Sequence, residues 1–272
     1  MQLDFTSSCN CAHSEPYFLN SGSTPTNSSI WHPASGLGWQ IVLNTTNIDT
    51  TVDVPVYDLD LFDIPSGTIA SLHALGRKVI CYFSAGSYED WRPDASSFTP
   101  DDYKSSLRCG SVCVHEWWLN TNSTNVRNIM SKRLDLAVTK RCDGVDPDNI
   151  DAYENDNGFN LTSADAVNYV TFLANEAHGR GLSIGLKNGG DIVPQVLSLM
   201  QWEVNEQCEP NMECETFQPF LAAGKPVFHI EYPDSTPNVD LATKNATCGD
   251  ATAAGFSTIM KEMDLGNWVL AC

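Results

Sequence analysis

Four carboxylates, Asp143, Asp146, Asp148 and Asp151, fall within nine residues in the run Cys142-Asp143-Gly144-Val145-Asp146-Pro147-Asp148-Asn149-Ile150-Asp151. The run reads as a short strand ending in acids. Strand geometry turns Asp146 and Asp148 to one face and Val145, Pro147 and Asn149 to the other. Pro147 has no N–H to donate, which suits the end of a strand. About fifty residues later, Trp202-Glu203-Val204-Asn205-Glu206-Gln207-Cys208 repeats the arrangement, an apolar strand closing on an acid. Glycoside hydrolysis needs two such carboxylates, one to donate a proton and one to attack or to activate water. Asp and Glu are seldom buried unless paired or working. Hydrolysis of a glycosidic bond is the chemistry this pattern points to.

The surrounding sequence must place these acids. Strands are expected at Trp39–Leu43, Val54–Leu61, Lys78–Ser84, Gly144–Asp148, Leu182–Lys187, Trp202–Glu206, Pro226–Tyr232 and Phe256–Lys261, most of them bounded by Gly, Pro, Asn or Asp. Helical spacing runs through Val126–Lys140 and Ser163–His178, with shorter versions at Pro194–Met200 and Thr216–Ala223. Thr162-Ser163-Ala164-Asp165 is a helix start, and Gly179 and Gly181 are a stop. Eight strands alternating with helices predict an α/β fold, a (β/α)8 barrel over residues 37–272, preceded by an irregular arm over 1–36. A doubly wound sheet is the alternative, but no Gly-X-Gly-X-X-Gly follows any strand. In a barrel the active site lies at the C-terminal strand ends. Polar residues gather there: Asp58 and Asp60, Tyr82 and Ser84, Asp146 and Asp148, Lys187 and Asn188, Asn205 and Glu206, Glu231 and Tyr232.

The 272 residues carry 34 acidic against 15 basic side chains, a formal net charge of −19. Such a surface excludes nucleic acid as a partner and attracts cations. No stretch approaches the roughly 18 apolar residues of a membrane span. Met1 to Asn20 contains no apolar run, so no signal peptide is read there.

Ten cysteines are many for a cytosolic enzyme, and their spacing does not suggest zinc. Disulfides Cys208–Cys214, Cys109–Cys113 and Cys248–Cys272 fit an oxidising compartment better. Asn-X-Ser/Thr acceptors at Asn27, Asn44, Asn122, Asn160 and Asn245 point the same way. The expectation is a secreted, extracellular or wall-associated protein, monomeric, read here as the mature part.

With these residues in hand, the chain resembles a fungal member of glycoside hydrolase family 114, the endo-α-1,4-polygalactosaminidases. The resemblance is carried by Val56-Tyr57-Asp58-Leu59-Asp60-Leu61-Phe62-Asp63, Lys78-Val79-Ile80-Cys81-Tyr82-Phe83-Ser84-Ala85-Gly86-Ser87-Tyr88-Glu89, Trp91-Arg92-Pro93-Asp94, the Cys142–Asn149 run, Gly185-Leu186-Lys187-Asn188, Val204–Cys208 and Val227-Phe228-His229-Ile230-Glu231-Tyr232, in family order. It implies a (β/α)8 barrel that cleaves α-1,4-linked galactosamine polymers internally. It also implies that Asp148 is a catalytic carboxylate and Glu206 its partner. Barrel enzymes acting on α-galactosides are similar in placing the nucleophile after the fourth strand and the acid/base after the sixth. Asp148 is accordingly expected as nucleophile and Glu206 as general acid/base. Many relatives carry Glu where this chain has Asp146.

Asp58, Asp60, Asp146 and Glu231 are expected to accept bonds from substrate ammonium and hydroxyl groups. Tyr82, Asn149, Lys187, Asn188, Asn205 and Tyr232 complete the expected binding set. Tyr82, Tyr232, Trp91, Trp117 and Trp118 either stack on sugars or pack in the core. Lys187 is expected to hold a carboxylate or bind a hydroxyl, and His229 to be a satisfied core histidine. No cofactor or metal is expected, because none of the six histidines forms a pair at ligand spacing on a predicted helix. The rival readings are a non-catalytic carbohydrate-binding barrel, a metal-dependent hydrolase, and a glycosidase of the same fold acting on another α-linked sugar.

Overall fold

The computed structural model describes residues 30–107 and 115–272. Most of the expected arm lies outside them, as do Asn27, Cys109 and Cys113. Eight parallel strands follow one another around a single curled sheet: β1 (Trp39–Val42), β2 (Val56–Asp60), β3 (Lys78–Ser84), β4 (Gly144–Asp148), β5 (Ser183–Lys187), β6 (Trp202–Glu206), β7 (Val227–Glu231) and β8 (Ser257–Met260). These are the strands expected from the sequence, to within a residue or two, and the architecture is that of a (β/α)8 barrel. Both faces of the sheet are covered, which is why most strands read as near-continuous apolar runs.

Strand alternation sorts the apolar side chains into two sets. Trp39, Ile41, Val56, Ile80, Trp202, Val204, Phe228, Ile230 and Ile259 fill the lumen. Tyr57, Leu59, Val79, Phe83, Val145, Ile184 and Leu186 face outward, in one core with residues of helices α1 (Ser66–Ala74), α2 (Thr124–Lys140) and α3 (Ser163–Gly179). Trp202 forms the floor of the barrel and requires glycine opposite it. A Cβ on Gly185 would lie 2.0 Å from its indole Nε1, and one on Gly144 2.4 Å from its Cη2. Trp31 covers the same indole from below, ring centroids 5.6 Å apart.

The seam between β8 and β1 is closed mainly by side chains and the chain's end. Trp39 Nε1 donates to the Ser257 carbonyl at 2.8 Å, and Lys261 Nζ to Gln40 Oε1 at 3.0 Å. Leu270–Ala271 adds an antiparallel strand to β8, anchored by the Cys248–Cys272 disulfide. A second expected disulfide, Cys208–Cys214, is also formed. A third, Cys81–Cys142, was not anticipated; it ties β3 to the residue two before β4 across 61 positions.

The long helices begin where their caps dictate. Ser123 Oγ accepts from the Asn125 and Val126 amides at the start of α2. Thr162 and Asp165 form a reciprocal capping box at the start of α3. Helix α1 has no side-chain cap, so the sequence carries no start signal for it. Between β3 and α2 the chain builds a three-stranded antiparallel sheet, with Glu116–Leu119 between Ser87–Glu89 and Tyr103–Ser106. Arg133 of α2 fastens this excursion, donating to Asp94 at 2.8 and 2.9 Å and to the Ser84 carbonyl at 2.6 Å. No helix among the described residues is long and apolar enough to cross a membrane. The described acceptor asparagines Asn44, Asn122, Asn160 and Asn245 are all exposed.

Candidate active site

The lumen-facing positions at the C-terminal strand ends bring Tyr82, Asp148, Lys187, Glu206 and Tyr232 together. Lys187 Nζ lies 3.0 Å from Asp148 Oδ1 and 2.7 Å from Glu206 Oε2, so one ammonium touches both carboxylates. Tyr82 donates to Asp148 Oδ2 at 2.7 Å, and the Asn149 amide to Asp148 Oδ1 at 2.8 Å. Tyr232 donates its hydroxyl to Glu206 Oε1. Lys187 is 4 % exposed, whereas Asp148 and Glu206 keep 16 % and 24 % of their side-chain surface open to the cleft.

Three strand ends are turned by the same device. Asn149, Asn188 and Gln207 follow Asp148, Lys187 and Glu206 and have φ of 60°, 51° and 60°. Asparagine tolerates this left-handed conformation better than most residues. Two of the three asparagines expected to bind substrate hold neighbouring groups of the site in place. Asn149 Nδ2 donates to Ser84 Oγ at 2.9 Å, and Asn188 Oδ1 accepts from the Glu206 amide at 3.0 Å. Asn205 is buried on the outward face of β6, its Nδ2 3.3 Å from Asn188 Oδ1. Gly86 permits the close crossing beside Asn149, whose carbonyl oxygen would lie 1.6 Å from any Cβ.

The electrostatics divide the carboxylates. Burial alone would raise Asp148, but the Lys187 charge, bonds from Tyr82 and Lys187, and the Asn149 N–H hold it below the ordinary carboxylate value. Burial works against the charge on Lys187, and Asp148, Glu206 and Asp146 more than offset it, keeping its pKa well above the usual value. Burial and neighbouring carboxylates push the Tyr82 and Tyr232 hydroxyls up, so both remain donors.

Four expected substrate ligands are placed otherwise. Asp60 is tied to Arg92 at 2.8 Å and accepts from the Phe62 and Asp63 amides, because the excursion carries Arg92 over the end of β2. Glu231 lies on the outward face of β7, opposite to Tyr232. There it meets His229 Nε2 at 2.9 Å and the Glu209 amide at 3.0 Å. His229 is a satisfied core histidine, its other nitrogen 3.0 Å from Thr258 Oγ1. Asp58 and Asp146 are completely buried in the lumen, a layer below the cleft. Among the aromatics, Trp117 packs beside Tyr88 and Tyr103, Trp118 is buried, and Trp91 is half exposed with the Arg92 guanidinium over its ring.

Sequence reasoning missed the residues that widen the site. A cavity of about 450 Å³ beside Glu206 is lined by Asp151, Glu154, Asp191 and Glu213, with no lysine or arginine among the described residues of its wall. Glu116, on the excursion sheet, is pushed up to about 7 by burial, by Glu89 and by Asp148. Asp151 stood within the acidic run already noted. The others lie in connections whose position over the barrel only the fold reveals.

The sequence model of glycoside hydrolase family GH114 matches residues 20–272. The chain belongs to this family. Aspergillus fumigatus Ega3, solved in complex with galactosamine, is similar at 54% identity and TM-score 0.85, over 92% of this chain and all of that one. The glycoside hydrolase domain of Pseudomonas aeruginosa PelA is similar in fold alone, with 12% identity and TM-score 0.65 over 86% of this chain and 97% of that one. The same holds for the Thermus thermophilus α-galactosidase TtGalA, at 13% identity and TM-score 0.56 over 88% and 60%. No curated protein sequence matches. Family membership makes this GH114 chain a glycoside hydrolase, and the non-catalytic reading is not favoured.

Proposed function

We propose that this GH114 enzyme is an endo-acting α-1,4-galactosaminidase working by a retaining double displacement, with Asp148 as nucleophile and Glu206 as acid/base. The observation that carries the reading is the Lys187 bridge. Its two contacts limit the separation of the bridged oxygens, Asp148 Oδ1 and Glu206 Oε2, to about 5.7 Å, which favours the retaining arrangement of roughly 5–5.5 Å over the inverting one of roughly 6.5–9.5 Å.

In the first step Asp148 attacks the anomeric carbon while Glu206 passes its proton to the departing glycosidic oxygen. A glycosyl ester forms on Asp148. In the second step water attacks the same carbon, Glu206 takes the water's proton, and the ester bond breaks to return the Asp148 carboxylate. The pair carries one negative charge throughout, first on Asp148 and then on Glu206. A cation in contact with both is suited to follow it without moving far. In the contacts described both Glu206 oxygens accept, from Lys187 and from Tyr232, the arrangement needed for the second step. To donate a proton, Glu206 gives up one acceptor bond and turns that O–H to the substrate.

The substrate class follows from the similarity to galactosamine-bound Ega3 and from the carboxylate-lined cavity, which is built for ammonium groups. Disulfides and exposed acceptor asparagines support secretion, where such a polymer is met. The test is digestion of partly deacetylated galactosaminogalactan, with mass spectrometry of the oligomers and proton NMR of the first anomer released. Internal fragments released as the α-anomer are expected; β-anomeric products would exclude retention.

A further inference from the structure

Asp58 and Asp146 are fully buried, and none of their four carboxylate oxygens meets a donor among the described residues. Unpartnered buried carboxylates are strongly unfavourable, and each requires an explanation. The two stand on β2 and β4, facing the lumen. Asp146 is two residues before Asp148 on the same face, and opposite Tyr82 in the β3–β4 register. The two side chains lie within hydrogen-bonding reach of each other; two ionised carboxylates have nothing to offer each other, but a single proton lets one donate to the other.

We propose that Asp58 and Asp146 share a proton and place the remaining charge beneath Lys187, holding that ammonium in its bridge between Asp148 and Glu206. They are positioning residues, and the inference rests on the catalytic reading of that pair. The neighbouring charges agree with this. Lys187 has Asp148 and Glu206 at its Nζ and Asp146 as a further attracting charge. Burial raises the Asp58 carboxyl well above its usual value, and Asp146 adds to the effect. Burial likewise raises Asp146, against the pull of Lys187 and with the push of Asp148 and Glu206. Glu203, on the outward face of β6, also lacks a donor and is likewise raised. A lysine held by only its two upper partners would follow whichever carboxylate was charged and leave the other.

A carboxyl raised in the folded state is a growing liability as pH climbs from the ordinary carboxylate range, because the unfolded chain releases that proton first. The pair is therefore retained against stability. Asp146→Asn should lower kcat at least about tenfold with KM within about threefold. Its melting temperature should rise by about 2 °C or more at pH 8, and by less at pH 5. Asp58→Asn should behave alike. It should also remove a protonated-carboxyl band from the infrared spectrum at pH 7. Unchanged kcat, a melting temperature that falls at both pH values, or no such band in the wild type would each overturn the proposal. If Asp148→Asn kept wild-type turnover, the catalytic reading would fail while the infrared and melting results stood.

Discussion

The Tyr82 hydroxyl reaches Asp148 Oδ2 at 2.7 Å although Ser84, not Tyr82, is opposite Asp148 in the β3–β4 register. The tyrosine leans along its strand towards the mouth and gives Asp148, the proposed nucleophile, a donor that stays protonated. Hydrogen bonds to an ionised group contribute about 1.5–3 kcal/mol, so Tyr82→Phe should lower kcat/KM roughly ten- to a hundredfold. Its pH profile should move in a known direction. The Tyr82 bond helps to hold Asp148 below the ordinary carboxylate value, so its loss raises that carboxyl and shifts the acid limb of kcat/KM to higher pH. An acid limb that stays in place would show that Asp148 is not the group titrating there.

The two carboxylates proposed as catalytic should respond differently to leaving-group ability. Asp148→Asn and Glu206→Gln should each cost several orders of magnitude on the polymer while leaving the melting temperature near wild type, since both line the cleft. On an aryl galactosaminide with a good leaving group, ester formation no longer needs an acid. Glu206→Gln should then show a burst of released phenol followed by slow turnover, and Asp148→Asn should show neither. Equal recovery of both variants would reverse or remove the assignment.

Much of the barrel was legible because its strands are buried on both faces and end in acids, a pattern visible without coordinates. Asp148, Glu206 and Lys187 meet as expected of polar residues at C-terminal strand ends, while the roles given to Asp148 and Glu206 came from the family resemblance. The same expectation failed at Glu231, where the pleat turns the side chain outward, one residue from Tyr232. It failed at Asp60 because Arg92 arrives from an excursion whose path the local sequence does not reveal. Asp58 and Asp146 were expected at the mouth among the substrate ligands but lie a layer below it, fully buried. Helix α1 escaped notice because no side chain caps it. Cys81 and Cys142 escaped because each sits in or beside an apolar run, far from its partner in sequence.

That disulfide leads to a stability prediction. Loop-closure entropy assigns about 4 kcal/mol to a crosslink spanning about 61 residues and about 2 kcal/mol to one spanning about 6. Replacing Cys81 and Cys142 together by alanine should destabilise the fold more than replacing Cys208 and Cys214. Urea unfolding of the two double variants, with non-reducing peptide mapping of the parent, measures this. Free thiols at Cys81 and Cys142 in the parent would remove the basis of the ranking.

The cavity beside Glu206 makes the substrate's charge testable. Asp151, Glu154, Asp191 and Glu213 line it without a compensating cation among the described residues, and Asp151 is pushed up to about 6 by burial and by Asp148. A sugar bearing an ammonium group supplies the missing positive charge, so de-N-acetylated polymer should be cut faster than the same polymer re-acetylated. Attraction of this kind acts over about a Debye length, roughly 8 Å at physiological salt, and governs encounter and binding more than bond cleavage. Raising ionic strength should therefore increase KM more than it lowers kcat. Neutralising the wall should do the same at constant salt: Glu154→Gln combined with Asp191→Asn should raise KM and weaken its salt dependence, with kcat changed little. As pH falls through about 6, Asp151 takes up a proton and the cavity loses one of its charges, so KM should rise on the acid side even where kcat holds. Equal cleavage of both polymers, with KM indifferent to salt and to the double substitution, would mean that these acids serve solubility and that the cavity does not recognise a cationic chain.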